Sequence, residues 1–479
     1  MSEWSADDIR GLQIANVLDV ELSTVRQLLG TWNARRTKNL KRSLYFDAEQ
    51  AFKDLGLTLP PQLKSAKFYL GWATMAVRKP AMRSQFEGFR LPGSDDPFEL
   101  GEVLAANNFA LELGQGIVSA YKHGMSLVTV AKGDLGEAAV QMQAHSAESS
   151  AAIWDRRKRR VAAALTISDM DGDKPTSFIA YLPHVVLRCD RAPSGKWIAE
   201  RIENHIGRTL AVPLTNDPQL GKPFGRSRIT GPVMALCDMA VRAYVRMEGN
   251  AEFYSSPQLA VLGMEADATD GLSDSKKFQL AMDRLLALTR DEDGNVPELK
   301  QLQQATMQPH SDMLRTVASA FSGETGIPLN SLGVIHDNPA SAEAIRAAEH
   351  DLLIDATYHN KFIHGTSVKE IGTLAVMVRD GLTEAPAESW RLSASFADPE
   401  FRSTSANADA YVKLAGANPD LANSPVLLET VFDGDQIARF TEERKRVQTG
   451  SVLQSLIASA QSPQGVANGG SVAGAVSAS

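Results

Sequence analysis

The chain has 479 residues, of which 43% are apolar, 6% aromatic and 22% charged. That is long enough for more than one domain with a sizeable buried core, and too apolar to be disordered throughout. Its 49 basic and 57 acidic residues leave a formal net charge of -8, which argues against a protein that coats nucleic acid and leaves open one that handles DNA without gripping it.

The N-terminus, Met1-Ser-Glu-Trp-Ser-Ala-Asp-Asp8, is acidic and has neither a basic stretch nor an apolar one behind it. No signal peptide is expected. Residues 1–60 read as helical, with Leu18, Leu22, Val25, Leu28 and Leu29 in a three-to-four-residue rhythm. A basic cluster follows around Tyr45: Arg35, Arg36, Lys38, Lys41 and Arg42. A solvated helix face is its plain explanation, and a contact site is the alternative. Helical rhythm returns over 66–80, where Pro80 stops it, and Phe86-Glu-Gly-Phe-Arg90 is extended in character. Residues 98–123 are expected to be helical.

From Met125 to about 215 the signal is strand. The runs are Met125–Val130, Ala138–Met142, Val161–Ile167, Ser177–Leu182, Val185–Leu187, Trp197–Asn204 and Leu210–Val212. Asp169-Met-Asp-Gly-Asp173 reads as a hairpin turn; its aspartates lack the downstream Glu of a calcium loop. Arg156-Arg-Lys-Arg-Arg160 is the densest charge run in the chain, either an exposed start to a strand or a contact for DNA or an acidic partner.

The texture then turns to long helix. Ile229, Val233, Leu236, Ala240, Tyr244 and Met247 form one apolar stripe, with Ser227 as the expected N-cap and Gly249 as the expected stop. Arg242 and Arg246 are i,i+4 neighbours, a repulsive pair unless something acidic faces them. A mixed stretch follows, with a strand over Pro257–Leu262, a helix over Ser275–Leu288, an acidic turn at Arg290–Asn295 and an extended run over Pro297–Gln303. A second helix covers Gln308–Phe321 and ends at Gly323. The next segment, Gly326 to Pro339, is rich in helix breakers. A third long helix starts near Ser341 and runs, kinked, toward Gly365; another covers 366–381. Residues 397–460 are helices with loops, and the Gly, Ser and Ala-rich tail from Ser462 is expected to be disordered.

Familiar catalytic motifs are absent. The sequence holds no Walker phosphate loop, dinucleotide fingerprint, His-Glu-x-x-His or Gly-x-Ser-x-Gly. His359 and His364 are five apart, a poor spacing for two ligands on one α-helical face. Cys189 and Cys237 make no disulfide framework or zinc cluster. No run of about 18 apolar residues suggests a membrane helix. On composition and spacing the chain is an α+β protein, with neither enzyme activity, cofactor nor metal expected.

The joints between elements carry more. Phe224-Gly-Arg-Ser-Arg-Ile229, Phe253-Tyr-Ser-Ser-Pro-Gln258, Gly326-Ile-Pro-Leu-Asn-Ser-Leu-Gly333 and Asn338-Pro-Ala-Ser-Ala-Glu-Ala344, in that order, resemble the portal proteins of tailed double-stranded DNA bacteriophages. The branch in long-tailed phages of actinobacteria is most similar. Phe86–Arg90, His123–Val128, Ala406–Leu414 and Gly434–Ile437 fit the same branch, so the resemblance covers about residues 65–455.

The resemblance implies an α+β portal fold with a wing, a two-helix stem, an inserted clip, a channel loop and a helical crown. Residues 1–226 would be wing, 227–249 and 308–323 the stem helices, 250–307 the clip and 324–340 the channel loop. Residues 341–396 would be wing helices, 397–460 the crown and 461–479 a disordered tail. It further implies a ring of about twelve subunits at one capsid vertex of the virion, assembled from chains made in the host cytoplasm. DNA would pass Ile335, His336, Asp337, Asn338 and Pro339 in the channel loop. Arg242 and Arg246 would face DNA or a neighbouring subunit, and Asp291, Glu292 and Asp293 in the clip would meet the terminase large subunit and later the head–tail adaptor. Contacts with the major capsid protein and scaffold are implied, and no membrane. Another head-completion or minor capsid protein is the alternative.

Overall fold

The computed structural model describes residues 4–50, 68–94, 96–255, 259–262, 298–301, 306–333, 342–400 and 404–417, with a few isolated residues beyond. The chain divides into two units, Met1–Pro399 and Glu400–Ser479. In the second unit the continuous described element is a helix, Thr404–Ala417.

The first unit opens with a short helix α1 (Ala6–Arg10), a two-residue strand β1 (Ile14–Ala15) and the 28-residue helix α2 (Asp19–Phe46). A six-stranded sheet takes the order β1, β9 (Trp197–Glu203), β8 (Val185–Arg191), β7 (Lys174–Tyr181), β6 (Arg160–Asp171) and β5 (Ser150–Asp155). All its pairs are antiparallel except β1 with β9. The 22, 25, 29, 32 spacing gives α2 one apolar face. That face lays Leu22, Val25, Leu29 and Trp32 on the sheet against Leu165, Ile167, Phe178 and Leu187. The indole N–H of Trp32 donates to the Glu148 carbonyl at 2.6 Å, so its one polar atom is satisfied.

The other side of the sheet belongs to a larger core. Helix α3 (Trp72–Ala81) leads to β2 (Phe86–Arg90), then to α4 (Leu100–Ala106) and α5 (Phe109–His123). Strands β3 (Met125–Lys132), β4 (Val140–Ser146) and β10 (Ala211–Thr215) form an antiparallel three-stranded sheet with β3 central. Phe109, Leu113 and Ile117 of α5 pack with Leu127, Val130, Met142 and Leu214 of that sheet, and Tyr181 and Val186 of the large sheet join them.

Several expectations change here. The helix expected over 98–123 breaks at Asn107 and Asn108, the latter at φ 46. The Asn107 amide bridges Val103 and Val140 carbonyls and accepts from the Met142 N–H, which trades helix continuity for the edge of β4. Strand β5 was not anticipated, and it turns the Arg156–Arg160 run into the tip of the β5–β6 hairpin. The β6–β7 turn lies at Asp171–Lys174, and Asp173 is ion-paired to Arg36 on α2. Among the described residues no group of three His, Cys, Asp or Glu side chains is placed to hold a metal. No described helix is long and apolar enough to cross a membrane. Cys189 and Cys237 are buried and unpaired, and burial pushes both thiols up to about 12.

Candidate functional site

Two long helices of the first unit pack against each other. Helix α6 spans Gly231–Ser255 and α7 spans Gln308–Thr325. Side-chain contacts pair Thr230 with Glu324, Arg246 with Met313 and Asn250 with His310, a falling register that makes the two antiparallel. Val233, Cys237 and Ala240 of α6 and Leu314, Val317 and Phe321 of α7 are buried in the shared core. Between them lie strands β11 (Leu259–Leu262) and β12 (Glu298–Gln301), paired antiparallel.

The first helix begins later and ends later than its sequence suggests. Ser227 does not cap it: its hydroxyl donates to the Lys122 carbonyl at 2.6 Å and accepts the Ile229 N–H at 2.9 Å. Thr230 accepts the Val233 N–H instead, and Pro232 falls in the first turn, where its missing N–H costs nothing. Gly249 is buried within the helix, since it stops a helix only where the backbone turns left-handed. Helix α7 runs past Gly323 to Thr325, and Gly326 takes the left-handed stop at φ 70.

The segment entering α6 is held tightly. Gly225 has φ 68, and a Cβ there would lie 2.0 Å from the Asn216 carbonyl oxygen. Gly225→Ala is therefore expected to cost about 1–3 kcal/mol through backbone strain and displacement of that carbonyl. Urea unfolding of the purified variant measures it.

Arg228 is the joint of the whole arrangement. Its guanidinium donates to the Ala76 carbonyl on α3 at 3.0 Å and to the Thr325 carbonyl at the end of α7 at 3.1 Å. It pairs with Asp355 at 2.6 Å and lies over the Tyr121 ring, 5.4 Å from its centre. One side chain thus links the start of α6, the end of α7, α3, α5 and helix α8 (Ala342–Tyr358). Burial alone would raise the Asp355 carboxyl, but the hydrogen bond with His359 and the Arg228 charge hold it down at about 2. Tyr45 donates its hydroxyl to Asp238 at 2.9 Å, a second tie between α2 and α6.

Helix α8 continues without a break through a π-helical turn, His359–His364, into α9 (Gly365–Asp380). The Gly365 N–H reaches back to the Asn360 carbonyl, and a Cβ on Gly365 would sit 2.7 Å from that oxygen. The wider turn changes the histidine argument. Five residues make a poor repeat on an α-helix, but about one turn of a π-helix, so both imidazoles reach Tyr121. Their ring centres are 5.8 Å apart, and His364 Nε2 is 3.2 Å from the Tyr121 hydroxyl. His359 has Asp355 carbonyl and carboxylate oxygens 2.9 and 3.2 Å from Nδ1, and Asn216 Oδ1 3.1 Å from Nε2. A cleft of about 480 Å³ opens beside them, lined by Asn216, Arg228, Glu324, Asp351, Asp355 and Tyr358. Its charged and hydrogen-bonding groups largely engage one another, which suits holding helices in place.

The family model for phage portal proteins of the SPP1 Gp6-like type matches residues 26–448. The chain belongs to that portal family. It is 30% identical to the portal protein of Mycobacterium phage L5 over 384 residues, covering 78% of this chain and 77% of the relative. It is likewise 30% identical to the portal protein of Mycobacterium phage D29 over 393 residues, 80% of each. A chain in the solved virion of a native gene transfer agent particle is 14% identical, with a TM-score of 0.41 over 75% of this chain and 89% of that one.

In this portal chain Arg242 and Arg246 are both half-buried on α6, with an Arg246 nitrogen 3.7 Å from the Met313 sulfur on α7. Ile335, His336, Asp337, Asn338 and Pro339 lie outside the described residues, as do Asp291, Glu292 and Asp293. Sequence reasoning passed over Arg228, although it lies in the quoted Phe224–Ile229 run. Its partners Ala76, Tyr121, Thr325 and Asp355 are scattered along the chain, and no local pattern marks them.

Proposed function

We propose that copies of this chain form the ring-shaped portal at one capsid vertex, through which the genome is packaged, retained and ejected. The observation that carries the reading is the antiparallel pair α6 and α7, joined in sequence by the residues between Ser255 and Gln308, in a chain that matches the portal family along most of its length. Residues 1–226 and 341–396 form the wing, 227–249 and 308–323 the stem, 250–307 the clip, 324–340 the channel loop and 397–460 the crown. The clip, through Asp291, Glu292 and Asp293, docks the terminase large subunit and then the head–tail adaptor. The wing meets the major capsid protein and scaffold. The chain is made in the host cytoplasm and ends in the virion, and it leaves ATP hydrolysis to the packaging motor. Electron microscopy of the purified chain is expected to show rings of about twelve subunits with a central hole; a monomer at assembly concentrations would overturn the reading.

Two variants probe the parts. Arg242→Ala with Arg246→Ala is expected to lower DNA packaging or ring assembly, because two like charges on one helix face persist at a cost unless DNA phosphates or an acidic neighbour faces them. Packaged DNA and ring yield are the readouts, and both unchanged would remove these residues from the mechanism. Deletion of residues 335–339 is expected to spare ring assembly but to block packaging or release packaged DNA. Nuclease protection of packaged DNA measures that.

A further inference from the structure

The run Arg156-Arg-Lys-Arg-Arg160 forms the tip of the β5–β6 hairpin. Asp155 and Arg160 are its last ladder pair, so Arg156, Arg157, Lys158 and Arg159 make the connecting loop, and all four are exposed. Asp155, the acidic residue of the tip, is engaged in the turn: its Oδ1 accepts the backbone N–H groups of Arg157 and Lys158, 2.9 and 3.0 Å away. Arg159 closes the loop at φ 50, a left-handed position that Gly or Asn takes with less strain. Turn chemistry has given way to charge there. The stalk is firm. Its strands pair from Ser150 with Thr166 out to Asp155 with Arg160, and just below the loop the Trp154 ring meets Phe224 edge-on at 5.8 Å.

These cations are unpaired and stand apart from the other basic run. Among the described residues, Arg156, Arg157, Lys158, Arg159 and Arg160 have no ion pair. Helix α2, which carries Arg35, Lys38 and Arg42, touches the opposite end of the two strands: Trp32 donates to the Glu148 carbonyl just before β5, and Arg36 to the Asp173 carbonyl just after β6. The loop holds no apolar side chain, so a partner is held there by charge and hydrogen bonds rather than by an apolar anchor. Phosphates and carboxylates both answer to that description. A sequence-independent grip on duplex DNA draws on about 6–10 phosphates spread along a stiff cylinder. Five charges issuing from one narrow turn reach only the nearest of them, whereas a flexible peptide folds its carboxylates around the tip. Four of the five cations are arginines, whose planar fork takes a carboxylate through two parallel hydrogen bonds. Clustered arginines are a recurring means of reading acidic motifs.

We propose that the β5–β6 hairpin tip, Arg156–Arg160, docks an acidic segment of a partner protein through paired arginine–carboxylate hydrogen bonds. The contact belongs to the single chain and does not depend on the ring. In a chain of net charge -8 the tip is a local reversal of sign, which steers an acidic segment toward this hairpin.

The test uses the full chain and a fluorescently labelled peptide of six consecutive glutamates, with binding followed by anisotropy at several salt concentrations. Wild type is expected to bind saturably, with an affinity that falls as salt rises. Replacing all five tip cations by Ala is expected to weaken binding by about tenfold or more, with no loss in the urea-unfolding midpoint, which separates lost contact from a folding defect. Replacing the four arginines by lysine keeps the charge but removes the fork, and is expected to weaken binding about threefold. Failure of wild type to bind, or undiminished binding by the Ala variant, would overturn the proposal. Undiminished binding by the lysine variant would overturn the paired-fork geometry. An unlabelled 30-base-pair duplex that displaces the peptide at a lower concentration, counted per negative charge, than unlabelled peptide does would overturn it in favour of nucleic acid.

Discussion

Lowering the pH by two units from 6.5 is expected to bring the protein to the edge of unfolding. Two imidazoles are responsible. His364 is fully buried at the π-helical turn, where burial, and then the charge of His359, push its pKa down to about 3 against the opposing pull of Asp355. His123 is buried at the end of α5, where burial, and then Lys122 and Arg42, push it down to about 3. The Glu148 carboxylate is 3.8 Å from His123 Nε2, too far for a hydrogen bond, and it accepts the Ser43 hydroxyl. Among the described residues Nδ1 of each ring has no hydrogen-bond partner, so a proton there would be an unsolvated charge.

The sign follows from proton counting. Above 6.5 both states hold these rings neutral. Below it the unfolded chain takes up a proton that the folded chain refuses, down to about pH 3. Stability is therefore lost as pH falls through this window, roughly tenfold in the folding equilibrium per pH unit for each ring. Since the unfolded rings are already half protonated at 6.5, two units and two rings amount to about 2 × 10³, a large part of the reserve of a marginally stable domain. Half-buried His145, which burial pushes down to about 4, adds to the loss. Urea unfolding at a series of pH values measures it. His123→Gln or His364→Gln is expected to flatten the dependence by about tenfold per unit, whatever it does to stability at neutral pH. A flat profile between pH 6.5 and 4.5 would show that the rings titrate normally.

Arg228→Ala is expected to be the most damaging single change at neutral pH, with a loss of about 3 kcal/mol or more. Removing one partner of a buried ion pair leaves the other charge uncompensated, which costs about 3–5 kcal/mol; the Asp355 side chain keeps 34% of its exposure, which favours the low end. The Ala76 and Thr325 carbonyls lose their donors in the same step. Without the guanidinium, the hydrogen bond with His359 is left to oppose burial, and the Asp355 carboxyl moves up. Wild-type Asp355 contributes stability above its ordinary 3.8 that is lost only as pH falls through about 2. In the variant that loss moves to higher pH. Arg228→Ala with Asp355→Ala is expected to recover part of the stability, because no stranded charge remains. Thermal unfolding of the single and double variants, read as a mutant cycle, measures the coupling. An additive cycle would mean that the two side chains do not act together. Because Arg228 links α6 and α7 to α3 and α8, ring yield is expected to fall with stability.

The periodic elements were readable in the chain. The α2 face, the strands from Met125 to Thr215 and the helices α6 and α7 announce themselves by 3.6- and 2-residue rhythms, since one face of each is buried. The unread elements lack a rhythm of their own. Strand β5 reads Ser-Ala-Ala-Ile-Trp-Asp and exists because β6 offers it an edge, and β13 (Ser393–Phe396) exists because β2 does. The helix limits near Ser227 and Gly249 were misread because a hydroxyl caps whichever group is nearest in space, and Ser227 faces Lys122, 105 residues away.

Composition, order and local motif determined the class and the family: an acidic α+β chain whose helix, insert, helix and loop succession resembles a portal, to which family it belongs. Tertiary structure decided where its charges act. Nothing local to Arg228 names Asp355, 127 residues away. Local rhythm reports which face of an element is buried, whereas an ion pair depends on distances across the fold that only packing sets.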